Sequence, residues 1–381
     1  MFETESYTRL VLKIGSSLLV DPAGRLNQAW MHSLADDIAA SSTAGREFVV
    51  VSSGAIALGR AELGLTADVR RLSEQQAAAA VGQIRLASGW HDTLAAHGLV
   101  TAQVLLTSND TENRRRYLNA YDTLTTLISQ KAVPVVNEND TVATDEIRYG
   151  DNDRLAARVA QMVCADALII FSDVDGLYDG DPARADSKFV ARVEDITPAV
   201  EAMASSARSR HGTGGMATKI AAARIAVAAG CNTFISAGHG QNPLRRLEEG
   251  GRCTRFVASS TPKLARKRWI AGSLRAVGRL QLDAGAVAAL LDGKSLLPIG
   301  VTDIDGEFRR GDTVVLTDEQ GDEVARGLSA YDSDEARKIQ GRKTGEIANV
   351  LGYTGRGVLV HRNDLAFTRN VASRHIAQTK R

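Results

Sequence analysis

"GTGGMATKIAAARIAVAAG", residues 212–230, sets three glycines and one lysine ahead of an alanine-rich run with helical composition. Such a stretch reads first as a phosphate loop. A P-loop needs Gly directly before its lysine and Ser or Thr directly after it, because that hydroxyl binds magnesium. Here Thr218 precedes Lys219 and Ile220 follows, so the P-loop template fails on both sides of the lysine. What remains is a glycine-rich backbone able to turn its amides inward, a cation, and a helix N-terminus that favours anions. Alone, the stretch suits either a phosphate-holding loop or a glycine-rich surface turn before a helix.

Outward from it, short apolar runs alternate with helical stretches from Thr8 to about Ser236. The strand candidates are "RLVLKIG", "EFVVVSSG", "LVTAQVLLTS", "AVPVVNEND", "ALIIFSD" and "NTFISAG". Several are almost continuously apolar, as expected when helices cover both faces of a sheet. Between the first two, Trp30, Leu34 and Ile38 form a stripe on a helix that starts after Asn27 and stops near Gly45. The pattern predicts an α/β class protein: a three-layer αβα sandwich with a mostly parallel sheet over residues 1–260. Ligands of such sheets bind beyond the carboxyl ends of the strands. There the sequence puts "KIGSS", "SSGA", "NEND" and "SDVDG".

The alternation ends in a basic stretch, residues 261–274, which reads as a linker. Residues 275–362 read as a small β-rich domain with "DEQGD" as a hairpin turn and helical pieces near Ala284–Leu291 and Ser333–Gln340. Residues 363–381 read as a basic tail.

Bulk composition narrows the function. Forty-six basic against 45 acidic residues leave a net charge of +1, which argues against a whole-chain commitment to nucleic acid or an anionic membrane. The longest apolar runs are strand-sized, so no membrane span is expected. Three scattered cysteines suggest neither a disulfide framework nor a CxxC metal site, and no histidine pair has the zinc-binding i, i+4 spacing. The acidic, polar start "MFETESYTRL" gives no export signal, and a reducing cytoplasmic setting is expected.

Single residues are ambiguous. Lys13 at a strand end is usually solvated, Ser53 and Gly54 suit any tight strand-to-helix turn, and the Asn and Asp of "NEND" (137–140) and "GDND" (150–153) are also good turn formers and helix caps. A calcium loop is excluded, because D-x-D-x-D-G with a distal Glu is absent.

Together the motifs say more. "LVLKIGSS", "VVVSSGAIALG", "VPVVNENDTVA", "GDND", "FSDVDGLYDGDP" and "GTGGMATK" occur in the order and approximate spacing of the amino acid kinase family. The resemblance runs from about Thr8 to Phe256, and Ala276 to about His361 resembles a PUA domain. Ser172 stands where the family commonly has threonine, which keeps the hydroxyl. The closest motif match is to the branch that phosphorylates L-glutamate with ATP and magnesium (Mg2+) to give L-glutamate 5-phosphate, the first step of proline biosynthesis.

That resemblance implies the following roles. Lys13 and Lys219 sit on the transferring phosphoryl group, with amides of the Gly15 and Gly54 turns assisting, and Asp153 holds both lysines. Asp140 and Asn152 bind glutamate, with Ser53 close by and Asn137 as a further candidate. Lys13, Gly15, Ser172, Asp173 and the run Thr213, Gly214, Gly215, Met216, Ala217, Thr218, Lys219 hold the nucleotide. Magnesium rides on the ATP phosphates, with no dedicated protein ligand. The family further implies feedback inhibition by proline, assembly into dimers or tetramers, and contact with the next enzyme of the pathway.

The chemistry agrees with the inventory. A glutamate side chain, with a reference pKa of about 4.3, is ionised at neutral pH, so no general base is required. The barrier is electrostatic: two like charges at 4 Å repel by roughly 4 kcal/mol at an effective dielectric of 20, about a thousandfold in rate. The alternatives are a kinase of the same family acting on acetylglutamate, aspartate, carbamate or a nucleotide monophosphate, or an RNA-binding regulatory protein. An acetylated amine gains little from Asp140. RNA binding is disfavoured by the charge balance and by an aromatic content of 5%.

Overall fold

The computed structural model describes residues 2, 7–65, 71–142, 152–206, 215–271 and 276–368. The chain divides into two compact units, Met1–Pro262 and Lys263–Arg381.

The first unit is built on one sheet. Its strands are β1 (Arg9–Ile14), β2 (Glu47–Ser52), β3 (Thr101–Leu106), β4 (Val133–Glu138), β5 (Ala167–Ser172), β8 (Arg192–Val193), β9 (Asn232–Ala237) and β10 (Cys253–Phe256), while β6 (Leu177–Tyr178) and β7 (Phe189–Val190) form a small separate hairpin. The order across the large sheet is β3-β4-β2-β1-β5-β9-β10-β8. Pairing is parallel from β3 to β9, and β10 then runs antiparallel to β9.

Strand alternation divides the core into two. Val11, Val49, Val51, Leu168 and Ile170 face one side with the helices Asn152–Met162 and Met216–Ala228. Leu10, Leu12, Ile14, Val50, Ile169 and Phe171 face the other, with Gln28–Thr43 and Leu72–Ala95. Continuous apolarity in β1, β2 and β5 is the cost of covering both faces, and it makes the three-layer arrangement the one that leaves no apolar strand face in water. Trp30, Leu34 and Ile38 are all buried on the second side, and Asn27 caps that helix by accepting from the Trp30 N–H.

Two glycines bring the helices Ala55–Glu62 and Leu72–Ala95 into backbone contact. A Cβ on Gly59 would lie 1.8 Å from the Ala78 carbonyl oxygen, and one on Gly82 would lie 1.8 Å from that of Ala55. No side chain fits at either position.

The second unit holds a five-stranded sheet of order β12-β11-β13-β14-β15, with β11 (Gly278–Leu282), β12 (Val301–Gly306), β13 (Thr313–Thr317), β14 (Glu323–Ser329) and β15 (Val360–Phe367). The expected hairpin joins β13 to β14. Two expectations differ from what is seen. The stretch read as a linker forms a helix, Pro262–Ala271, because Arg266 and Ile270 fall one turn apart on a buried face. The chain from 363, read as tail, continues β15 to Phe367, because Asp364 is buried against Arg266 at 2.6 Å and Leu365 and Ala366 complete the sheet. Residues 272–274 of the expected linker, 275 of the expected small domain and 369–381 of the expected tail lie outside the described residues. No described helix is long and apolar enough to cross a membrane.

Candidate active site

Four neighbouring strands, β4, β2, β1 and β5, end side by side and carry Asn137, Asp140, Ser53, Lys13, Gly15, Ser172 and Asp173 at or just beyond their carboxyl ends. Strand parity aims them. Lys13 lies two residues after Val11 and Ser172 two after Ile170, on the face covered by Asn152–Met162 and Met216–Ala228. Lys219 arrives from that covering layer. It takes a place in the buried stripe Met216, Lys219, Ile220, Ala223, Ala226 of its helix.

The two ammonium groups meet at one carboxylate. Lys13 Nζ lies 2.6 Å from Asp153 Oδ1 and Lys219 Nζ 3.3 Å from Asp153 Oδ2. Asp153, in the first turn of its helix, is fully buried, and both lysines are less than a tenth exposed. The Thr218 hydroxyl lies 2.8 Å from both Asp153 Oδ2 and the Gly215 carbonyl oxygen. Burial alone would raise the Asp153 carboxyl; Lys13 and Lys219 outweigh it and hold the group below the ordinary carboxylate range. Burial lowers the Lys219 ammonium, Asp153 works against it, Lys13 adds to it, and the net is a value below the usual lysine range. The cluster therefore carries two positive charges against one negative, and Asp173 is close enough to act on Lys219 electrostatically.

Beside it, amides converge. Asn152 Nδ2 donates to Ser53 Oγ at 2.9 Å and to Asn137 Oδ1 at 3.3 Å, while Asn137 Nδ2 donates to Gln83 Oε1 at 2.7 Å. The Asn152 Oδ1 is buried and accepts no hydrogen bond among the described residues. Asp140 opens the short turn Asp140–Val142, and burial pushes its carboxyl up to about 6. Sequence reasoning did not find Gln83, which sits in an alanine-rich helix with nothing to set it apart. It also passed over Ser52, whose hydroxyl accepts from Trp90 Nε1 at 2.9 Å beneath the Ser53 turn.

On the remaining positions the structure is equally specific. Ser172 is buried and its hydroxyl donates to Asp173 Oδ1 at 2.8 Å. Gly15 N–H donates to Phe171 O over 3.4 Å, and a Cβ there would meet nothing closer than 3.6 Å. Gly54 adopts φ 104°, the left-handed conformation that favours glycine, and caps the helix Ala55–Glu62. Gly215 caps Met216–Ala228, where a Cβ would meet nothing within 4 Å among the described residues, and the first-turn amides of Met216 and Ala217 have no partner within the helix. The Met216 side chain itself points into the core. Thr213, Gly214 and Gly150 lie outside the described residues. A separate cavity of 430 Å³, lined by Glu138, Arg154, Arg158, Glu201 and Arg224 among others, contains none of the sequence-predicted site residues.

The segment that carries these strand ends, the lysine pair and the amide cluster matches a known family. The model described as the amino acid kinase family matches residues 8–236. The chain belongs to the amino acid kinase family. A PUA domain model matches residues 278–351, over most of the second sheet. Among curated amino acid kinases, a glutamate 5-kinase of Paramagnetospirillum magneticum is 56% identical over 359 residues, 94% of this chain and 97% of the relative. A glutamate 5-kinase of Brucella ovis is 55% identical over 362 residues, 95% and 96% of the two chains.

Proposed function

We propose that the chain transfers the γ-phosphoryl group of ATP to the side-chain carboxylate of L-glutamate, giving L-glutamate 5-phosphate and ADP. The observation that carries the reading is the pair of buried ammonium groups held on the one carboxylate of Asp153. The acceptor is that of the two glutamate 5-kinases, which match nearly the whole chain.

In this reading glutamate attacks as the carboxylate it already is. One γ-carboxylate oxygen bonds to phosphorus as the bond to the bridging oxygen of ADP breaks. Lys13 and Lys219 face the charge that gathers on the phosphoryl oxygens, in a site dry enough for each to count for more than in water. Asp153 keeps the two cations close in spite of their repulsion. The open backbone at Gly15 and Gly215 leaves room for phosphate to approach amides, and Ser172 and Asp173 border the nucleotide. Asp140 and the bare Asn152 oxygen suit the α-ammonium of glutamate; an acetylated amine offers no charge for Asp140.

Among the described residues no three His, Cys, Asp or Glu side chains cluster to hold a metal. In this reading magnesium arrives on the ATP phosphates, and no step is routed through it. The reading also gives catalysis to residues 1–260 alone.

Hydroxylamine trapping of the acyl phosphate tests the proposal. Hydroxamate is expected with glutamate and ATP and is expected to be lost in Lys219→Ala. Preferred trapping with acetylglutamate or aspartate would replace glutamate as the acceptor.

A further inference from the structure

The amide chain beside the lysine cluster has a direction, and Gln83 stands at its accepting end. A carboxamide has one accepting and one donating end. Gln83 offers its oxygen to Asn137 Nδ2 at 2.7 Å, which leaves Asn137 Oδ1 facing Asn152. Asn152 must then answer with Nδ2, at 3.3 Å, and it gives its second proton to Ser53 Oγ at 2.9 Å. The Ser52 carbonyl oxygen lies 3.5 Å from the same nitrogen, so both amide protons are used, and Oδ1 is left buried with no donor among the described residues. An ammonium has three donors and no acceptor, so it fits a carbonyl oxygen and is repelled by an outward N–H.

We infer that Gln83 is a positioning residue that fixes the polarity of the Asn137–Asn152 chain, so that Asn152 turns a bare carbonyl oxygen towards the ammonium of the acceptor. The inference rests on the reading of Asn152 as an acceptor ligand given above. Gln83 follows Gly82, the residue whose hydrogen in place of a side chain lets the helix Leu72–Ala95 touch the backbone of Ala55. Ala55 in turn opens the helix that follows the Ser53–Gly54 turn. One backbone contact thus positions both ends of the chain, the Gln83 oxygen and the Ser53 hydroxyl.

The test compares full-length wild type with Gln83→Met, which keeps the shape and loses the acceptor, Gln83→Glu, which keeps an accepting oxygen, and Asn152→Ala. The readouts are KM for glutamate, KM for ATP, and the preference in kcat/KM for glutamate over glutarate, which lacks the ammonium. Loss of one oriented hydrogen bond predicts that Gln83→Met raises the glutamate KM about tenfold and lowers the preference about as much, with the ATP KM within about twofold. Gln83→Glu is expected within about threefold of wild type in both. Gln83 is half-buried, so these variants should fold; if Gln83→Met does not, Gln83→Lys, which also lacks an acceptor, replaces it with the same expected direction.

Three results overturn the inference. If Gln83→Met leaves KM and preference unchanged while Asn152→Ala alters them, Gln83 only packs and the acceptor site stands. If Gln83→Glu is as impaired as Gln83→Met, polarity is not what the residue supplies. If Asn152→Ala itself leaves the glutamate preference intact, the acceptor-site reading fails and the inference fails with it.

Discussion

Asp140 offers a test of the acceptor side that needs only pH. Burial moves its carboxyl from 3.8 to about 6, which corresponds to at most about 3 kcal/mol held against the charged form. In the free protein the group is therefore roughly nine-tenths ionised at pH 7 and one-tenth at pH 5. If Asp140 must be charged to receive the α-ammonium, kcat/KM for glutamate falls about tenfold between those pH values. The side chain of glutamate itself stays roughly four-fifths ionised at pH 5, so the substrate contributes little to the fall. Once glutamate is bound, its ammonium favours the carboxylate, and kcat should depend on pH less than kcat/KM does.

Initial rates of ADP release at constant ionic strength, for wild type and Asp140→Asn, provide the measurement. The asparagine variant is expected to start from a low plateau and to lack the acidic limb. The contribution of Asp140 to folding stability has the opposite sign. Between 3.8 and about 6 the folded state binds more protons at this site than the unfolded chain, so acidification through that window adds stability from Asp140. A wild-type profile that stays flat from pH 7 to 5, or the same limb in Asp140→Asn, removes Asp140 from the pocket.

Lys219→Ala should lower kcat by about three orders of magnitude, from the roughly 4 kcal/mol of charge repulsion left uncompensated, with the circular dichroism spectrum unchanged; near-normal turnover refutes its role. Asp153→Asn leaves two buried ammonium groups without their counter-charge and should cost about 3–5 kcal/mol in urea unfolding as well as activity. In wild type the Asp153 contribution to stability is present above the unfolded carboxylate value and is lost only as pH falls through its depressed folded value, so acid unfolding of Asp153→Asn should lack that component. Arg266→Ala strands the buried Asp364 and should lower the melting temperature of the second unit, by about 3–5 kcal/mol in stability; a calorimetric trace identical to wild type would count against that ion pair.

The first unit was readable because its strands are short, apolar and followed by unlike polar residues. "LVLKIGSS" announces a buried strand and a cationic end in one phrase, and parity then decides which face Lys13 meets. Where charge interrupts the pattern, reading fails. The strand "VTDIDG" puts exposed Thr302 and Asp303 between its buried Val301 and Ile304 and hides its period. The helix Pro262–Ala271 looked like solvated link because its four Lys and Arg obscure the one face that matters. Asp364 looked like tail because its partner, Arg266, is distant in sequence. The site divides in the same way: Lys13, Asp153 and Lys219 stand in distinctive contexts, whereas Gln83 acts through a single oxygen on an alanine-rich helix, and only the fold shows what that oxygen touches.

The order of the central strands separates two tasks. Of the residues proposed to recognise the acceptor, Asn137 and Asp140 follow from β4 and Ser53 from β2, while Ser172 and Asp173, proposed to border the nucleotide, follow from β5, with β1 and Lys13 between; Asn152 joins the two groups, since it opens the helix that carries Asp153. Changes at the ends of β4 and β2 can therefore retune acceptor choice while leaving β1 and β5 untouched, whereas a change at Asn152 falls beside the carboxylate that holds both lysines.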